Sequence, residues 1–253
     1  MHFDFTNRVA LVTGASSGLG RHFAKVLAGC GAKTVVAARR ADRLEELVSE
    51  ITDSGGQALA VSLDVTESAS IHSAFDSATE AFGVVTALVN NAGVADSKRA
   101  IHTDEDSWDF VMNTNLRGNF LVARECARRL IQTQTPGSIV NVASILGLRP
   151  QFNQCSYSSS KAAVIRLTEV LALEWVRKGI RVNALCPGYV KTEINDEYLN
   201  TEQGKSYAAN MPMGRLGELD EMSAPLLLLL SEAGSYVNGV ALPVDGGHLL
   251  GAI

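Results

Sequence analysis

Arg8-Val9-Ala10-Leu11-Val12-Thr13-Gly14-Ala15-Ser16-Ser17-Gly18-Leu19-Gly20 is the stretch from which the rest of the chain is read. Arg8 to Val12 is almost continuously apolar, the pattern of a strand covered on both faces. It runs straight into a glycine-rich turn, and the turn opens a helical stretch. Glycines here permit a tight reversal and let backbone approach a pyrophosphate, whose charge is favoured at a helix N-terminus. The candidate contacts are Gly14, Ser16, Ser17, Gly18, Leu19 and Gly20. The spacing is Gly-x-x-x-Gly-x-Gly and not the widespread Gly-x-Gly-x-x-Gly. Such a turn can be a plain connector, but its place between strand and helix favours a bound nucleotide.

Outward from this segment the alternation repeats. Short β-branched runs at 34–38, 58–63, 87–89, 138–142, 180–185 and 239–244 read as further strands. Between them the pattern predicts helices over 18–30, 41–54, 67–82, roughly 104–132, and 156–178. Regular strand–helix alternation predicts right-handed βαβ units in an α/β, doubly wound, seven-stranded parallel sheet with helices on both faces. The expectation is one Rossmann domain over residues 1–253, its ligands beyond the carboxyl ends of the strands. No repeat, low-complexity tract or linker interrupts it.

Composition narrows the function classes. The 253 residues are 46% hydrophobic and 19% charged, a globular balance, with a net charge of −5. No clustered basic surface for nucleic acid is visible; Arg39-Arg40 and Arg128-Arg129 are too short. The apolar run 224–230 is broken by Pro225, falls far short of a membrane span and reads as a buried helix turn. Cys30, Cys126, Cys155 and Cys186 form no CxxC pair and read as reduced thiols of a cytoplasmic protein. His2, His22, His72, His102 and His248 are scattered, so no metal site is expected.

Chemistry gathers at four further places. The second strand ends at Ala38, where a carboxylate would grip a ribose 2′-hydroxyl and repel a 2′-phosphate. Ala38 followed by Arg39 and Arg40 favours NADP(H) over NAD(H), since a guanidinium can fork onto phosphate. Arg40 reads equally well as a solvated helix start. Tyr157 and Lys161, four apart in a helical stretch, share one face. A neighbouring ammonium favours the phenolate and brings its pKa toward the working range. Ser144 follows the strand ending at Val142 and can donate to a substrate oxygen, or simply cap a turn. Asn115 is a polar residue inside a long helix, a mild anomaly that asks for a reason.

Thr13-Gly14-x-x-x-Gly18-x-Gly20, Asn90-Asn91-Ala92-Gly93 and Tyr157-x-x-x-Lys161 together resemble the short-chain dehydrogenase/reductases, from about Arg8 to Gly247. The resemblance implies an oxidoreductase moving a hydride between a nicotinamide and a carbonyl or alcohol. Asn115, Ser144, Tyr157 and Lys161 would be its catalytic group, Tyr157 as acid-base, Lys161 also holding the nicotinamide ribose. Asn115 would break its helix and hold a water joining Lys161 to solvent. It further implies that Arg39 meets the 2′-phosphate. Asp64 and Val65 would lie near adenine, with Asp64 also able to serve as a helix N-cap. Asn91, Ala92 and Gly93 would line the cleft, and Pro187, Gly188, Val190 and Thr192 would meet the carboxamide.

Substrate-facing candidates are Leu146, Gln151, Phe152, Gln154, Tyr189, Tyr198 and Met211, with a lid at about 190–213. They suit a medium-sized ketone with polar decoration. The pattern is also similar to 3-oxoacyl-carrier-protein reductases. However, Thr133-Gln134-Thr135 stands where a basic docking surface would help, so a 3-oxoacyl thioester and a small ketone, sugar, steroid or aromatic alcohol all stay open. A catalytically idle nucleotide-binding sensor or scaffold is the reading from another class, and the presence of both Tyr157 and Lys161 speaks against it. Relatives of this kind pair two long helices across a two-fold axis, which implies a homotetramer.

Overall fold

The computed structural model describes residues 3–192 and 201–251. Its centre is a parallel sheet built from β1 (Val9–Thr13), β2 (Lys33–Ala38), β3 (Gln57–Ser62), β4 (Ala87–Asn90), β5 (Gly137–Val142), β6 (Ile180–Pro187) and β7 (Ala241–Val244). The spatial order is β3-β2-β1-β4-β5-β6-β7, and the direction of winding reverses between β1 and β4. Leu11 is paired with Val35 on one side and Leu88 on the other. Ligand clefts of doubly wound sheets open at such a reversal.

Alternate side chains of β1 feed opposite layers, as the pleat requires. Ala10 and Val12 join one core with α1 (Gly18–Gly29), α2 (Ala41–Asp53) and the apolar helix Ser223–Leu230. Val9 and Leu11 join the other, with α3 (Ser68–Phe82), α5 (Asn119–Thr133) and α6 (Cys155–Trp175). Both faces of β1 are therefore dry, and its five residues are all buried. Pro225 sits in the first turn of its helix, where its missing N–H costs no hydrogen bond. Among the described residues no helix is long and apolar enough to cross a membrane.

The helix expected over roughly 104–132, with a break at Asn115, is three pieces. α4 (Glu105–Met112) gives way to a π-helical turn, Asn113–Gly118, and only then does α5 begin. The extra residue per turn lets the Asn115 side chain leave the ladder and serve another strand's loop. The last strand starts at Ala241, later than read, because Gly239 takes a positive φ of 76°.

Candidate active site

The carboxyl ends of β1, β2, β3, β4, β5 and β6 surround a cleft of about 540 Å³. Gly14 adopts φ +65°, and a Cβ there would come within 2.9 Å of the Ala92 backbone. Asn91 locks the two strand ends together, its Nδ2 donating to the Thr13 and Gly14 carbonyls at 3.0 and 3.3 Å. Thr13 Oγ1 accepts from the Asn91 and Ala92 N–H groups, both at 3.0 Å. Ser17, the N-cap residue of α1, makes no side-chain capping bond, so the first-turn N–H groups stay open to an anion. Gly20 plays a different part from the one read in the sequence. It does not line the cleft; a Cβ there would lie 2.3 Å from the Gly14 carbonyl oxygen, so it serves close packing of helix on turn.

Arg39 and Arg40 line the same cleft, and both are exposed. Arg40 is the N-cap residue of α2, yet its Nη2 reaches back to Ser16 Oγ at 2.9 Å and Ser17 Oγ at 3.4 Å. It is thus both helix start and part of the phosphate turn. The two guanidinium groups beside Ala38, with no carboxylate at that strand end, fit a 2′-phosphorylated ribose. Asp64 and Val65 line the cleft across from them. Asp64 Oδ1 accepts from Thr66 N and Thr66 Oγ1 at 2.9 and 2.7 Å, which holds its carboxyl below the usual range. The N-cap of α3 is Glu67, not Asp64.

At the other end of the cleft stand Ser144, Tyr157 and Lys161. Ser144 leaves β5 in extended conformation; its Oγ accepts from Leu146 N at 3.1 Å and stands beside the Tyr157 phenol. Lys161 is 5% exposed, with Nζ donating to the Val142 carbonyl at 2.8 Å and lying 5.6 Å from the Tyr157 ring centroid. Burial pulls the Lys161 ammonium down to about 8. Burial also pushes the Tyr157 phenol up, overriding the opposing influence of the Ser144 hydroxyl. This reverses the expected direction: in the protein alone, desolvation of the phenol outweighs its neighbours. Ala92, Gly93, Pro187, Gly188 and Thr192 complete the wall.

Asn115 lies behind the cleft, 1% exposed. Its Oδ1 accepts from Val94 N at 2.8 Å, and its Nδ2 donates to Val94 O at 2.8 Å and Ser160 Oγ at 3.0 Å. Ser160 in turn donates to the Tyr157 carbonyl at 2.7 Å. A methyl on Gly93 would sit 3.3 Å from Asn115 Oδ1 and 3.4 Å from Lys161 Nζ, in the space between them. Sequence reasoning missed Thr13 and Ser160. The signal for Ser160 was available, as a small polar residue on the buried helix face one step before Lys161. Cys186, near the end of β6, is a core residue whose thiol burial pushes up to about 12.

The substrate candidates divide. Tyr189 stands near Tyr157 and donates to Gln151 Oε1; its ring is 5.5 Å from that of His248. Met211 joins the same wall through a 2.8 Å contact between its Sδ and His248 Nδ1. Leu146 is half-buried just past Ser144. Phe152 and Gln154 are drawn elsewhere. Phe152 is 75% exposed under the Arg99 guanidinium, and Gln154 Nε2 donates to Ser97 Oγ at 2.8 Å. Val190 does not line the cleft: its buried side chain packs in the core, fixed by a bridge to Gly217. Tyr198 lies outside the described residues.

This arrangement has close counterparts. The short chain dehydrogenase family matches residues 8–203. The chain is 40% identical to galactitol 2-dehydrogenase (L-tagatose-forming) of Cereibacter sphaeroides, covering 97% of this chain and 96% of the relative. It is 35% identical to 2-dehydro-3-deoxy-D-gluconate 5-dehydrogenase of Dickeya dadantii, covering 98% and 97%. The structure superposes on a gluconate 5-dehydrogenase from Burkholderia cenocepacia, solved with NADP and tartrate, with a TM-score of 0.93, 33% identity and 99% and 98% coverage. A phosphate turn at the reversal of the sheet and a phenol–ammonium pair facing it define a nucleotide-dependent oxidoreductase fold. The chain belongs to the short-chain dehydrogenase family.

Proposed function

We propose that this protein interconverts a ketone and a secondary alcohol using NADP(H), with Tyr157 as general acid-base. The carrying observation is the meeting of Ser144, Tyr157 and Lys161 at one end of a cleft whose other end presents Arg39 and Arg40. Bound nicotinamide supplies or accepts the hydride. The chain's own residues do the rest. Ser144 and Tyr157 hold a carbonyl oxygen between two hydroxyl donors, which stabilises charge as it develops there. Because burial raises its pKa, Tyr157 stays protonated at neutral pH and serves as a proton donor in the reducing direction. Lys161, brought down to about 8, exchanges protons near neutrality and recharges the phenol. Asn115 keeps the backbone around Val94 in place beside it. Asp64 and Val65 would sit against the adenine end.

The NADP(H) assignment is tested by Ala38→Asp combined with Arg39→Ala. Steady-state kinetics should show the preference moving toward NADH by at least about tenfold, the size expected when a charged hydrogen-bonding group is lost and a repulsive one gained. An unchanged preference contradicts the assignment. The hydroxylated substrates in the relatives' names support an alcohol-bearing substrate here. We also infer a homotetramer acting in the cytoplasm on a small molecule. It would be held by the apolar faces of α4 and α6, where Phe110 and Leu173 are 50% and 79% exposed.

A further inference from the structure

We infer that Ser160 is a positioning residue for the reaction, binding Asn115 to the helical turn that carries Tyr157 and Lys161. This rests on the oxidoreductase reading above and adds a residue that acts on the rate through its neighbours.

Ser160 is 0% exposed and stands one residue before Lys161. If that place needed only filling, alanine would fill it and is the better helix former. A hydroxyl buried there costs free energy unless its bonds are made. They are made in a fixed order. The hydroxyl has one proton, and it goes to the Tyr157 carbonyl at 2.7 Å. Its lone pairs then need a donor, and Asn115 Nδ2 supplies one at 3.0 Å. Nδ2 also donates to Val94 O at 2.8 Å, while Asn115 Oδ1 accepts from Val94 N at 2.8 Å. Both amide protons are thereby used, and turning the amide over would set N–H against N–H.

The Tyr157 carbonyl also takes the Lys161 N–H, four residues on in the ladder of α6. Ser160 therefore grips the carbonyl that joins the two catalytic residues. The same turn is held from the Ser144 side as well. Gly147 lets the segment after Ser144 lie so close that a Cβ would come 2.7 Å from Lys161 C. Hydrogen bonds thus run from Val94, on the cleft wall, through Asn115 and Ser160 to Tyr157. Asn115, Ser160 and Lys161 are 1%, 0% and 5% exposed, so water does not readily replace a lost partner. Without the Ser160 hydroxyl, one Asn115 N–H is buried without an acceptor and the turn is freer to shift. Proton and hydride transfer tolerate little such displacement. The phosphate turn and the arginines at the far end of the cleft are untouched by it.

The experiment compares the purified full chain with Ser160→Ala, Asn115→Ala and the double variant. Each is assayed with NADPH and the ketone that wild type uses best among cyclohexanone, fructose, sorbose and tagatose. Ser160→Ala should lower kcat at least about tenfold and leave the KM for NADPH within about twofold of wild type. The double variant should lose less than the product of the two single losses, by at least about threefold, because one network is broken only once. Thermal melts without cofactor should agree, the double variant's drop in Tm being smaller than the two single drops added together. Ser160→Cys keeps the shape and a weak donor, should recover part of the lost kcat, and takes the place of Ser160→Ala if that variant does not fold. An undiminished kcat in Ser160→Ala overturns the proposal while an active wild type keeps the oxidoreductase reading. Single losses that multiply in the double variant overturn it too, as does a loss confined to the KM for NADPH. A wild type that reduces none of the ketones overturns both readings.

Discussion

Lys161 carries a cost that the fold bears for its chemistry. A buried ammonium with one carbonyl partner among the described residues is poorly solvated, and its pKa falls from 10.5 to about 8. That shift corresponds to roughly 3 kcal/mol against folding at neutral pH. Lys161→Met should therefore raise the stability of the cofactor-free protein by about 1–2 kcal/mol in denaturant titrations, less than the full cost because Val142 loses its donor. The sign follows from proton binding. Between pH 8 and 10.5 the unfolded chain holds the proton more tightly than the folded one, so wild-type stability rises across that window and the gap to Lys161→Met narrows. The same variant should lose turnover. Equal stabilities at pH 7 would remove this account. The spacing of Tyr157 and Lys161 was legible in the sequence, and so was the misfit of Asn115. The direction of the Tyr157 shift was not, because it depends on how much protein covers the phenol. The outward swing of Phe152 was equally hidden, since it follows from Arg99 arriving on a separate loop.

Elements were legible wherever one periodicity dominated. β1, α1 and β2 lie within a residue or so of their expected bounds, because strand runs and glycine turns punctuate them sharply. The break at Asn115 was legible, but its π-helical form was not, since that depends on backbone hydrogen bonds that residue spacing does not reveal. A second device at this scale ties α3 to α5. Glu125, 3% exposed on α5, is bound by Arg128, Arg129 and His72, while Arg129 also reaches Asp76 on α3 at 2.6 Å. Burial alone would raise the Glu125 carboxyl, but those hydrogen bonds hold it down at about 2. Its stabilisation is present above the usual carboxylate pKa of 4.5 and is lost as pH falls toward 2. Glu125→Gln should destabilise by about 1–2 kcal/mol at pH 7. Thermal melts of both proteins should converge between pH 4.5 and 2; a gap independent of pH would contradict the clamp.

For the molecule as a whole, the order of strands does most of the positioning. The reversal between β1 and β4 opens a cleft, and successive strand ends deliver the phosphate turn, the arginines, Asp64, Ser144 and Gly188 to its walls. Alternation of strands and helices made this architecture readable in the sequence, whereas the wall proposed to face the substrate is assembled from Gln151, Tyr189, Met211 and His248, residues distant in the chain. Exposed apolar groups on α4 and α6 lead to an expected mass near four times 26.9 kDa in light scattering. A monomer at micromolar concentration would contradict that assembly. Whether the half-buried Tyr157 phenol carries the proton is tested most directly by Tyr157→Phe, with NADPH binding and NADPH oxidation measured on the same preparation. Binding within about threefold of wild type and turnover reduced by at least about a thousandfold are expected; ketone reduction at an undiminished rate would rule out Tyr157 as the proton donor.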